Sequence, residues 1–120
     1  MSQYFEEAFK RLREILKPLE KDLTIKFDEP GKYYLLSKKL NEKKQEIWFG
    51  GVEIKKNYVS FHLVPLYFFP ELLDAISPEL KKRLTGKACF NFKRPDEAVF
   101  ADLENLTKAS FEMFRQKEMI

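Results

Sequence analysis

The chain holds one histidine and one cysteine. Together they define the sharpest chemistry it could attempt, because a cysteine thiolate beside an imidazolium is a nucleophile. His62 and Cys89 both fall where apolar and polar residues alternate, so both are predicted on strands and could share a face. A lone cysteine, however, more often serves as a small buried hydrophobe, and a lone strand histidine is usually structural. No Gly-x-Ser-x-Gly, Walker-type loop or dinucleotide fingerprint occurs, and Gly50-Gly51 alone is too weak a signal to cradle a phosphate. Lys87 is the only other side chain on which a catalytic reading would rest. The balance favours a protein that is not an enzyme.

Metal chemistry has less to stand on. A zinc site wants three or four converging His, Cys or carboxylate ligands, and one His with one Cys cannot close a soft-ligand site. Carboxylates are plentiful, but none shows the spacing of a calcium loop. Neither a metal site nor a cofactor is expected.

Aromatic rings are the unusual resource. Twelve Phe, five Tyr and one Trp make up 15% of the chain. Most should fill the core, since rings occupy much volume per residue. Trp and Tyr are also enriched at binding surfaces. Trp48, Tyr58, His62 and Tyr67 are therefore candidates to line a ligand site, with Lys87 and Asn91 on a neighbouring strand.

Charge adds a second hint. Residues 37–94 carry twelve basic and six acidic groups, and residues 95–120 carry three basic and six acidic. A basic centre suits an anionic ligand, although a mixed, solvated surface explains it as simply. Nucleic acid is disfavoured. Lys87 to Arg94 interleaves aromatics with basic residues and faintly resembles an RNA-recognition strand. It lacks the glycine before the first ring, and Phe90 and Phe92 alternate in phase with Ala88, which suits the core.

Nine elements must position these residues. Phe5, Ala8, Phe9, Leu12, Ile15, Leu16 and Leu19 recur at helical spacing, with Ser2 as N-cap and a stop near Lys17 imposed by Pro18. Leu23, Ile25 and Phe27 form a first strand. Asp28-Glu29-Pro30-Gly31 is a turn, and Lys32 to Ser37 is its partner strand. Residues 38–45 read as a polar loop. Glu46 to Ile54 is a third strand, with Gly50-Gly51 marking a bulge or a close backbone approach. Tyr58 to Val64 is a fourth, with Val59, Phe61 and Leu63 on one face. An aromatic link, residues 66–69, leads to short helices near 71–76 and 78–84, the second capped by Ser77 and closed by Gly86. Lys87 to Phe92 is a fifth strand. Pro95 opens a last helix whose buried face runs from Val99 to Phe114.

The order α-β-β-β-β-α-α-β-α, with short turns, predicts an antiparallel sheet of about five strands with helices on one face. This is an α+β fold, a two-layer sandwich in one domain spanning 1–120. The other sheet face should be partly wet or meet a partner, and homodimer formation would cover it.

Two stretches carry a family resemblance. Tyr58-Val-Ser-Phe-His-Leu-Val-Pro-Leu-Tyr is followed by Ile76-Ser-Pro-Glu-Leu-Lys-Lys-Arg-Leu-Thr-Gly-Lys-Ala-Cys-Phe-Asn-Phe-Lys. With the acidic start of the last helix, they resemble the YdhG-like family of small bacterial proteins, a domain family without an assigned general function. The similarity runs from roughly Ile25 to Phe114. It implies an α+β fold and, because some members are described as frataxin-like, iron chaperoning. Frataxin-type binding uses an acidic surface near the first helix. Here Glu6, Glu7 and Glu14 are interleaved with Lys10, Arg11, Arg13 and Lys17, so the chain departs from that pattern.

The bulk properties agree with a packed, unspanned domain. Hydrophobic residues make up 44% and charged residues 34%, against a usual charged fraction of about 25%. A lone cysteine points to a reducing interior, and a cytoplasmic location is expected. The first residues lack a signal-peptide pattern, and no apolar run approaches the about 18 residues of a membrane span. The expected role is a non-enzymatic binding module for a small ligand or protein partner, with an iron chaperone and an enzyme as alternatives.

Overall fold

The computed structural model describes residues 3–120. The Ser2 cap lies outside them. Helix α1 spans Gln3–Leu16 and buries Ala8, Phe9, Leu12 and Leu16 along one face. Pro18 lacks the amide that would continue the α-helical ladder. The chain accordingly tightens into a 3-10 segment, Lys17–Asp22.

Six strands follow the antiparallel order β1-β2-β3-β4-β6-β5. They are β1 (Thr24–Glu29), β2 (Lys32–Leu40), β3 (Glu46–Ile54), β4 (Val59–Leu63), β5 (Leu84–Thr85) and β6 (Cys89–Phe92). Between β4 and β5 lie a helical turn α2 (Pro65–Phe68), a 3-10 segment (Pro70–Ala75) and a short helix α3 (Pro78–Lys81). Helix α4 (Glu97–Gln116) closes the chain, capped by the Asp96 carboxylate, which accepts a hydrogen bond from the Val99 amide. Among the described residues, no helix is long and apolar enough to cross a membrane.

The structure differs from the sequence reading at four places. Residues 38–40 extend β2 instead of opening a loop, because polarity reports exposure and not backbone shape. The actual turn is closed by Asn41, whose Oδ1 accepts from the Lys43 and Gln45 amides at 2.9 Å each. The aromatic link is itself a helical turn. The sheet gains a sixth strand, β5, because α3 stops at Lys81 and two residues are too few to show a period of two. Gly86, expected to close the helix, instead takes φ +67° in the β5–β6 turn. Ser77 caps α3 as its position predicted, accepting from the Leu80 amide.

The helices lie on one face of the sheet. Their residues meet Tyr33, Leu35, Phe49, Val52, Val59, Phe61, Leu63, Phe90 and Phe92, all essentially inaccessible. The Phe49 ring meets Phe111 and Phe114 of α4 edge-on, and Phe92 meets Phe100.

Candidate functional site on the open sheet face

Side chains on alternate strand positions emerge on the opposite face. The register there forms rows. One runs Phe27, Tyr34, Gly51, His62, Cys89, Thr85 across all six strands. The next runs Lys32, Glu53, Ser60, Asn91. A bulge in β3 lets Leu36 pair with Trp48 while Leu35 pairs with Gly50, which returns Phe49 to the core and Trp48 to the open face.

The glycine pair is explained by close approach. A Cβ on Gly51 would overlap the Tyr34 ring and come within 2.6 Å of the Tyr33 carbonyl oxygen. Tyr34 thus lies over Gly51 as part of a chain of edge-on rings. Phe27 meets Tyr34 at 6.2 Å between centroids, and Tyr34 meets Trp48 at 5.8 Å. The Tyr34 hydroxyl donates to Glu53 at 2.9 Å. Phe27 and Tyr34 were missed from sequence. The signal that could have found them is the hairpin register set by the Pro30-Gly31 turn, which pairs Phe27 with Tyr34.

The six sequence candidates are divided. Trp48 is half-buried and joins Tyr34. His62 meets Tyr67 edge-on at 5.6 Å, and Tyr67 is 50% exposed. Asn91 donates through Nδ2 to Thr85 Oγ1 at 3.1 Å. Tyr58, half-buried, precedes β4 by one residue and falls on the open face by alternation. Lys87 stands exposed on the β5–β6 turn and makes no bond to the other five. Among the described residues, three buried side-chain atoms have no hydrogen-bond partner: His62 Nε2 and Asn91 Oδ1 on this face and Ser110 Oγ on α4. Such groups are uncommon in folded proteins.

The electrostatics bear on the catalytic reading. His62 and Cys89 sit opposite each other in the register of β4 and β6. Burial pushes the Cys89 thiol up, outweighing the downward pull of the Ser60 hydroxyl and of Lys55. Burial pulls the His62 imidazole down. Both shifts favour the neutral forms, so the pair rests as thiol and imidazole and not as the reactive ion pair.

Metal binding fares similarly. Among the described residues, no three of His, Cys, Asp and Glu converge. On α1, Arg11 pairs with Glu14 and forks onto Glu97 of α4. Arg13 bridges to Asp28 at 3.0 Å. Phe90 and Phe92 are buried in the core, so neither ring is presented to a base. A cleft of about 790 Å³ lies elsewhere, between α1 and the β1–β2 turn, lined by Phe9, Lys10, Arg13, Lys32 and Ile54 among others. Its charges are largely self-neutralising.

No known protein family, no curated protein and no solved structure matches the chain.

Proposed function

We propose that the protein is a non-enzymatic binding module that takes a small ligand or a protein partner on its open sheet face. The observation that carries this is the pair of partnerless buried atoms, His62 Nε2 and Asn91 Oδ1, on the same face as the half-buried rings of Tyr34 and Trp48. A buried polar atom without a partner costs about 1–3 kcal/mol, and a bound group that supplies the partner recovers part of that. Amphipathic rings beside it offer contact area at low entropic cost. A second copy of the chain is one such protein partner, and a reducing cytoplasm suits the free Cys89. Membership of the YdhG-like family is proposed on the same footing, from the motifs that fall on β4, on β6 and at the start of α4. The iron-chaperone alternative gains no support from α1, where arginines interleave and pair with the acids.

Trp48 is the only tryptophan, so its emission reports on this face directly. Screening metabolites and protein concentration by thermal shift, with Trp48 fluorescence read in parallel, should find at least one condition that raises the melting temperature and shifts the emission. Binders that move neither Trp48 emission nor the amide signals of Ser60, His62 and Asn91, or no binder and no self-association, would overturn the assignment.

A further inference from the structure

We infer that one corner of the open face, where β3, β4, β6 and β5 meet, is a site for the phosphate group of a small phosphorylated ligand. This rests on the open face being the binding surface and names the chemistry it selects. Register builds the corner. Val59 pairs with Phe92 and Ile54 with Val59 on the helix side. Of the residues just beyond them, Lys55 and Tyr58 therefore alternate onto the open side, and Lys93 follows the end of β6 in a bend. The Lys55 amide bonds to the Tyr58 carbonyl at 2.8 Å and fixes that row. One step along, the Asn91 amide bonds to the Arg83 carbonyl at 3.0 Å. Leu84 pairs with Phe90 on the helix side, so Arg83 joins Asn91 and Ser60 on the open side.

Three cations, Lys55, Arg83 and Lys93, thus surround a floor of Tyr58, Ser60, Thr85 and Asn91. At strand spacings of about 4.8 Å the group spans about 15 Å, within reach of converging Lys and Arg side chains. The corner's neighbouring acid, Glu53, is already held by Lys55 at 3.3 Å and by the Tyr34 hydroxyl. Arg83 and Lys93 have no ion-pair partner among the described residues. A doubly charged phosphate complements this set: it accepts a forked pair of bonds from guanidinium and single bonds from ammonium and hydroxyl groups. The unpartnered Asn91 Oδ1 adds a demand for a donor, so the ligand carries a hydroxyl or amine near its phosphate.

The probe is glycerol 3-phosphate, titrated into the ¹⁵N-labelled protein at constant ionic strength. Shifts should centre on Tyr58, Ser60, Asn91 (including its side-chain amide) and Arg83. Arg83→Ala with Lys93→Ala should weaken binding about tenfold or more, since two charge-assisted bonds to the phosphate are lost. Both residues are exposed, so an unchanged melting temperature confirms that the fold is intact. Equal shifts from sodium chloride would overturn the inference, since only screening would be at work. So would shifts centred on another surface, or a single-stranded oligonucleotide that binds far more tightly per phosphate and also moves Lys81 and Lys87. If glycerol 3-phosphate fails while another ligand moves Trp48, only the phosphate assignment falls. If no ligand moves any residue of the open face, the open-face assignment falls with it.

Discussion

The two faces of the sheet are built from the same strands but by opposite rules. The helix face is a continuous row of Phe, Leu, Val and Tyr side chains, nearly all inaccessible. The open face mixes rings with His62, Ser60, Cys89, Asn91 and Glu53, and it holds two of the three buried polar atoms that lack a partner among the described residues. Burial on the first face stabilises the fold by removing apolar surface from water. The second contributes less to folding and keeps unsatisfied capacity. Such a difference is expected where one face makes the core and the other meets something else.

Three measurements would break or sharpen that contrast. The largest effect should come from Phe61→Ala, which opens a cavity under α1 and should cost about 3–5 kcal/mol by chemical denaturation. Trp48→Ala, on the open face, should cost less by about 2 kcal/mol, because a half-buried ring surrenders less area. Equal costs would mean that both faces are core.

Gly51→Ala should come next, at about 1–3 kcal/mol, because the new methyl overlaps the Tyr34 ring. In a Tyr34→Ala background part of that cost should disappear. Part should remain, since the Tyr33 carbonyl oxygen lies 2.6 Å from the added atom. A double-mutant cycle measures the coupling. Strict additivity would show that the ring does not lie over Gly51.

The smallest effect concerns pH. Burial lowers the His62 pKa below that of the unfolded chain. Below about pH 6.5 the unfolded state therefore binds more protons than the folded one, and stability falls as the solution is acidified. The stability of the wild type, minus that of His62→Gln, should decline from pH 7.5 to 5.5. A flat difference would mean that His62 is already solvated on a fully wet face. The groups sharing its surroundings, Tyr34, Cys89 and Tyr67, bear no positive charge, so they add no opposing repulsion.

Much of the fold was legible because it obeys local periods. The three- and four-residue spacing of α1, the alternation in β4 and β6, the proline stop after Lys17 and the Ser77 cap all act within a few residues. β5 escaped because two residues have no period, and residues 38–40 escaped because charged side chains are compatible with an exposed strand end. The candidate site was legible only in its residue types. Trp48, Tyr58, His62, Tyr67 and Asn91 could be named, but their neighbours Phe27 and Tyr34 could not. Alternation puts Lys87 on one strand with Asn91, but β6 begins only at Cys89, so Lys87 sits on a turn without a bond to any of them.

The sequence by itself determined that the chain folds as antiparallel strands under helices and that one sheet face would be left over, since apolar alternation and helix amphipathicity are written residue by residue. Only the tertiary structure decided what that face contains. The β3 bulge turns Trp48 outward. Register sets His62 opposite Cys89 in a setting that keeps both neutral. The pairing of β6 with β4 and with β5 sets Asn91 between Ser60 and the Arg83 carbonyl. Register depends on which strands pair and by how much they are offset, and that offset is fixed by contacts far apart in the chain.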